Sequence, residues 1–486
     1  MDDGLMDFVD AGEFVSQQDW LEAVRKVLGE NDFDDVLVSN LSGGIRINPL
    51  YTGDASPVSQ ETSTGGPLPI RGVNRRASNI SGRLNGWEIR QKHWLTDPKQ
   101  TNKSILSDLE RGVNSIELIV GSAGEKEFAD ALQGVLLDVA AIAPLGRGDN
   151  VEIARSFLSY AKSAHVESEN LLADLSCDPI GQLASQGGIS DGIQASLNRV
   201  GNLASDVSKM YKNVTTVRID GTVYANAGAD PVTELAAIVS TGIAYLRALS
   251  DAGLDIEEAF RQILIVVGVG SDQFLEMAKI RALREVWGYV GDSCEVKETP
   301  AKIQASTSSS IITKVDPWVN ILRTTVGCFA AAVGGADLVT VEPFDSAIGI
   351  PNDFGFRLAR NTHLVLMEEA NLHRVIDPAG GSWYVESLTD QLAELTWERL
   401  QAMETNGGVI DELKAGILQD KISSTKRETQ RRIADTEQVI VGVNQFTFDD
   451  VNALSRDPYP DMPDVLTFEA EVKPIQPYRQ DEGFEE

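Results

Sequence analysis

Residues Ile263–Gly270 read ILIVVGVG, and SDQFLEMAKIRALREVWGY follows at Ser271–Tyr289. An apolar run this short, ended by glycine, reads as a strand covered on both faces. The longer amphipathic stretch behind it, Asp272–Tyr289, reads as a helix. The same couple recurs along the chain. SIELIV (Ser115–Val120) precedes a helical pattern at Lys126–Gln133, and VLLDVAAIA (Val135–Ala143) precedes Asn150–Ser163. TTVRIDGTVY (Thr215–Tyr224) precedes Pro231–Leu249, and DLVTVEPF (Asp337–Phe344) precedes Asp353–Leu372. Shorter candidates near Lys302–Ile312 and Asp174 bring the count to about seven or eight strand–helix units. The pattern predicts an α/β fold, a closed (β/α)8 barrel of the TIM type over residues 79–425. An open doubly wound sheet loses its usual support, because no GxGxxG opens the first unit. The glycines of GVGSDQF (Gly268–Phe274) read as a strand-to-helix turn.

The flanks read differently. Residues 1–78 form an expected N-terminal arm with one amphipathic helix at Ser16–Leu28, whose apolar side is Trp20, Leu21, Val24 and Leu28. GDASPVSQETSTGGPLP (Gly53–Pro69) reads as an extended connection. A polar helix is expected around Asp420–Asp435. The remainder of 426–486 has linker composition, with Pro458, Pro460, Pro463, Pro474 and Pro477 among many acids.

The 486 residues carry 73 acidic against 42 basic side chains, a net charge of −31. This argues against a nucleic-acid partner, which needs a cationic surface. No run of about 18 apolar residues predicts a membrane partner. The acidic N-terminus lacks the basic, then apolar, pattern of a secretory signal, so a cytoplasmic location is expected. Cys177, Cys294 and Cys328 read as three reduced, buried thiols. The histidines, His93, His165, His363 and His373, fall in no metal-binding spacing. His363 is expected to be a buried helix residue with a satisfied ring, and His373 to face a helix C-terminus ahead of a strand-like RVIDPAGGSWYV. No nucleophile elbow or P-loop is present.

RLARNTHLVLMEEANLHRVIDPAGGSWYVESLTDQLAELTWERLQAMETNGGV (Arg357–Val409) resembles the adenosylcobalamin-dependent methylmalonyl-CoA mutases. EPFDSAIGIPNDF (Glu342–Phe354), LEMAKIRALREVW (Leu275–Trp287), WEIRQ (Trp87–Gln91) and IVGVNQF (Ile440–Phe446) occur in family order and extend the resemblance over most of the chain from about residue 70. The resemblance implies a (β/α)8 barrel threaded by CoA, followed by a linker and a flavodoxin-like cobalamin domain. It implies the radical interconversion of succinyl-CoA and (R)-methylmalonyl-CoA, in which the cofactor carries the chemistry.

The departures from the family pattern point further. Aligning IDGTVYANAGA (Ile219–Ala229) with the family's strand puts Val223 where a histidine contacts the thioester carbonyl, and valine donates no hydrogen bond. Gly82 falls where a tyrosine is expected, and Gln304 where a second histidine lies near CoA. Ser176 and about Gln186 replace a glutamine and an arginine. No DxHxxG is present, so a cobalamin-binding domain is expected to be absent from this chain. These losses, with PLYT (Pro49–Thr52) and DPIG (Asp178–Gly181), resemble the family's smaller, non-catalytic chain. The resemblance then implies a structural subunit with no catalytic residue, no metal and no cofactor of its own, in a heterodimer whose larger catalytic chain carries adenosylcobalamin. Two other readings are an active barrel for a related acyl-CoA that borrows a separate cobalamin-binding chain, and a non-catalytic CoA-thioester binding module with a continuous axial tunnel.

Overall fold

Eight parallel strands pair in chain order, and the last returns to the first to close a barrel. They are β1 Glu88–Trp94, β2 Ser115–Ile119, β3 Ala141–Leu145, β4 Ala173–Cys177, β5 Val214–Asp220, β6 Ile263–Val269, β7 Lys302–Thr307 and β8 Leu338–Thr340. The helices that follow them are α1 Pro98–Leu109, α2 Glu125–Ala131, α3 Val151–Ser163, α4 Ile193–Met210, α5 Pro231–Asp251, α6 Gln273–Ser293, α7 Asn320–Gly334 and α8 Asp353–Leu364. The expected (β/α)8 barrel of the TIM type therefore forms. This computed structural model describes residues 16–52, 86–121, 123–146, 149–296, 301–375, 377–448, 454–459 and 470–484. Gly82 lies outside the described residues.

Local chemistry starts the helices where the strands end. Asp97 and Asp230 each stand before a proline at the first helical position, and their carboxylates accept from the backbone N–H of Gln100 and Thr233, both at 2.9 Å. Asp272 and Asn352 cap α6 and α8 in the same way. The main core lies between the barrel wall and the helix ring, where Ile116, Leu118, Val217, Ile265 and Ile303 meet helix residues such as Phe157 and Leu235. Helix α5 is long and apolar enough to cross a membrane by length and composition, but it is mostly buried against the barrel. A Cβ on its Gly242 would stand 2.4 Å from the Trp287 ring of α6, so only glycine allows this approach.

Several expected boundaries move. The strand in Val135–Ala143 is Ala141–Leu145, and the preceding residues turn, leaving Leu136 and Val139 exposed. β5 stops at Asp220, and Thr222–Ala225 coils into a helical turn. α8 ends at Leu364 and continues as a π-turn, Val365–Glu369. The strand-like RVIDPAGGSWYV forms no strand among its described residues; Leu372–Arg374 is a 3-10 turn and α9, Trp383–Thr405, begins at its tryptophan. Cys177 and Cys328 are buried free thiols, but Cys294 is only half-buried.

Both flanks touch the barrel. In the arm, helix Gln17–Leu28 is capped reciprocally by Ser16 and Asp19 and buries none of its residues. A two-stranded ribbon, Ser39–Asn40 with Arg46–Ile47, seats a fully buried Ile45. After α10, Val409–Ala415, comes α11, Ile417–Ala434, which runs through residue 425 where the barrel was expected to end. The tail residues 470–484 lie over the loops that leave the strands' C-terminal ends. Glu471 and Val472 donate backbone N–H to the Gly187 carbonyl at 2.8 and 2.9 Å, and Tyr478 donates to the Asn226 carbonyl at 2.9 Å. Val472, Ile475, Tyr478 and Asp481 are buried there, so these residues are packed structure despite their linker-like composition.

Candidate functional site in the barrel lumen

Side chains at alternate positions of a barrel strand point inward. Here many of them are charged. Arg90 of β1 donates from Nε to Ser115 Oγ of β2 at 2.8 Å and from Nη1 to Gln304 Oε1 of β7 at 2.9 Å, and its Nη2 pairs with Asp174 of β4. Gln304 Nε2 donates to Glu117 Oε2 of β2 at 3.0 Å and to Thr340 Oγ1 of β8 at 3.1 Å. Arg218 of β5 pairs with Glu117 at 3.0 Å and with Asp220 at 3.1 Å. At one end Lys302 reaches Asp174 at 2.6 Å, and at the other Lys92 pairs with Glu342 just beyond β8. Arg90, Lys92, Arg218 and Lys302 thus balance Glu117, Asp174, Asp220 and Glu342 in charge. A small apolar group, Leu264, Val266 and Leu338, packs apart from the main core.

Burial alone would push the Glu117 carboxyl up. Arg218, Lys92 and the Gln304 bond outweigh it and hold the group at about 2. Asp174 is likewise held below the usual carboxylate range by Lys302 and Arg90 against its burial. Both are therefore ionised at neutral pH and are fixed charges, unsuited to proton transfer there.

The positions singled out in the sequence do not converge. Gln304 is a wholly buried hub of the lumen network. Ser176 sits in β4 with a left-handed φ of 57°, inside a register break between Asp174 and Cys177, and its hydroxyl donates to the Asp174 carbonyl at 3.1 Å. Val223 lies on the helical turn after β5 and packs against the main apolar core. Gln186 ends the short helix Pro179–Gln186 and accepts from Gln182 at 3.3 Å.

Asp178 of DPIG joins the β4 and β5 loops. Its carboxylate accepts from the backbone N–H of Gly181 at 2.9 Å and of Asp220 at 3.0 Å, and from the Tyr245 hydroxyl. Burial pushes its carboxyl up to about 6. The inward charges Arg90, Lys92, Glu117 and Arg218 were missed in the sequence. Their alternation along EIRQKHW and VTTVRID was the available signal.

No histidine is placed to ligate a cobalt at the strands' C-terminal mouth. His93 is buried, 3.1 Å from Asp108 and stacked on Phe356. His363 is buried and accepts from Trp87 Nε1 at 2.9 Å; burial lowers its ring to about 3. His165 and His373 follow the C-terminal ends of α3 and of α8 with its π-turn, on the opposite side of the barrel. Among the described residues no group of three His, Cys, Asp or Glu side chains could hold a metal ion. None of these histidines thus offers a cobalt ligand at that mouth.

Comparison with known proteins gives a consistent picture. The methylmalonyl-CoA mutase family profile matches residues 123–480. The chain is similar to the methylmalonyl-CoA mutase small subunit of Streptomyces virginiae, 38% identical over 95% of this chain and 75% of that one. It is 35% identical to the small subunit from Propionibacterium freudenreichii subsp. shermanii, over 93% of this chain and 72% of the relative. Against the large subunit of the same Streptomyces the identity is 27%, over 89% of this chain and 62% of that subunit.

Proposed function

The chain belongs to the methylmalonyl-CoA mutase family, and from that premise we propose that it is the small, non-catalytic subunit of a mutase interconverting succinyl-CoA and (R)-methylmalonyl-CoA. The observation that carries this reading is the lumen. The axis that would receive a CoA thioester is crossed by Arg90, Glu117, Asp174, Arg218 and Gln304, all buried and bonded to one another. A thioester threading that path would have to displace paired charges without offering equivalent partners, a cost of several kcal/mol per ion. Val223 and Ser176, packed or bonded locally, offer no substitute for the lost thioester contact.

In this reading the larger homologous chain holds adenosylcobalamin and the active site, the two form a cytoplasmic heterodimer, and the arm helix Gln17–Leu28 contributes to the contact. The greater similarity to a small than to a large subunit of one organism supports the assignment. The experiment is succinyl-CoA isomerisation by the purified chain with adenosylcobalamin, alone and coexpressed with a large mutase subunit. No turnover alone and full turnover in the pair are expected. Turnover by the chain alone near that of the pair would falsify the reading.

A further inference from the structure

We propose that this barrel is held in one closed state from within, by bonds that cross the lumen and staple its weakest seams, so that no ligand is needed to close it and none opens it. The wall itself joins only neighbouring strands. It is thinnest around β4: β3 and β4 share a single registered pair, Ile142 with Ala173, and the β4–β5 register breaks between Asp174 and Cys177. Asp174 lies between these two seams. It is gripped from across the barrel by Arg90 of β1 and Lys302 of β7, neither of them a neighbour of β4. The second cross-lumen link ties β2 to β5 and β7 through Glu117, Arg218 and Gln304. The β8–β1 seam has two registered pairs, and Lys92 with Glu342 bridges it.

A separate observation falls on β4 as well. At the mouth the tail bonds to Gly187 after β4, to Asn226 after β5 and to Ser310 after β7. The buried Asp481 carboxylate accepts from the backbone N–H of Lys314 and Val315. β4, the strand with the fewest registered pairs, is thus tied both inside and on top.

Buried ion pairs are poor sources of net stability, but parting them is costly because each leaves a charge unpaired in a low-dielectric space. The network therefore acts on partly opened states, raising their free energy relative to the closed barrel. This inference stands on geometry and does not depend on the non-catalytic reading: turnover tests that reading, and backbone exchange tests this one.

The experiment is hydrogen–deuterium exchange on the full chain, with and without millimolar succinyl-CoA. Peptides covering β4 (Ala173–Cys177) are expected to exchange as slowly as those covering β6 (Ile263–Val269), and to be unchanged by the ester. Exchange in β4 tenfold or more faster than in β6, or protection gained or lost with succinyl-CoA, overturns the proposal. Arg90→Lys keeps the charge and loses the three-armed guanidinium contact, and Lys302→Met removes the half-buried end of the ladder. Each is expected to speed β4 exchange about tenfold or more and leave β6 unchanged. An equal rise in all strands, or no change in β4, overturns the stapling role. Should Arg90→Lys not fold, Lys302→Met and the unaltered chain decide.

Discussion

Arg90 and Gln304 stand on strands that do not pair, yet Arg90 Nη1 donates to Gln304 Oε1 at 2.9 Å with both side chains wholly buried. Gln304 uses its amide as acceptor for Arg90 and as donor to Glu117 and Thr340. A neutral imidazole has one donor and one acceptor, so it cannot make all three contacts. Gln304→His is therefore expected to destabilise the chain by about 1–3 kcal/mol and to confer no isomerisation of succinyl-CoA. Urea denaturation and the turnover assay check the two parts. Unchanged stability would remove Gln304 from the network.

Glu117 sets an acid limit. Its folded-state carboxyl is held at about 2, below its ordinary 4.5. A depressed carboxyl contributes stability that is fully present above the unfolded value and is lost as pH falls toward the folded one. The window is then roughly pH 4.5 down to pH 2, and the contribution lost is about 3 kcal/mol. Urea midpoints measured across that window should fall for the unaltered chain and fall less steeply for Glu117→Gln. Parallel slopes for the two would show that other carboxyls carry the acid response.

What the sequence made legible follows from where each strand's side chains go. β6, ILIVVGV, is apolar on both faces because it packs on helices outside and on Leu338 inside, so its rhythm is plain. β1, EIRQKHW, sends Arg90 and Lys92 into the lumen and His93 to an outer pair with Asp108, so no apolar run marks it as a strand. The reading of Val223, Gln304 and Ser176 as departures from the family pattern rests on resemblance alone. That Gln304 had gained three partners depended on strands 214 and 187 residues apart in sequence meeting across the barrel, which no local pattern encodes. The tail misled because proline and acids mark a linker equally well when it is laid across a surface.

Asp481 tests the tail. It is fully buried, and its carboxylate accepts from two backbone N–H groups, those of Lys314 and Val315. Asp481→Ala would leave both donors without that acceptor, at an expected cost of about 1–3 kcal/mol. The chain's melting transition should drop accordingly, and limited proteolysis should cut after Lys473 or Arg479 sooner. A variant with unchanged melting would mean that the tail rests on the barrel without supporting it.

Placing a histidine at position 223 should not confer activity. Val223 packs against the main core on a helical turn rather than among the lumen charges. Val223→His is expected to yield no turnover with adenosylcobalamin, because the axis stays crossed by Arg90 and its partners. Measurable isomerisation by this single variant would contradict the closed lumen.

The arm helix tests the assembly. Gln17–Leu28 is well capped; its apolar stripe Trp20, Leu21, Val24 and Leu28 is half-buried, and Val27 beside it is 88% exposed. Trp20 meets only Phe33 of the same arm edge-on among the ring contacts, with centroids 6.2 Å apart. Leu21 and Val24 are already half-buried within the chain, so Leu21→Asp and Val24→Asp are each expected to cost the isolated chain about 1 kcal/mol. If the rest of this stripe is covered by the larger mutase chain, each change also removes roughly 1 kcal/mol of apolar burial from the interface, and association should weaken severalfold. A net charge of −31 disfavours self-association of the free chain. Coexpression with the large subunit followed by size exclusion and titration reads both quantities. Unchanged association of the double variant would place the heterodimer contact elsewhere on the barrel.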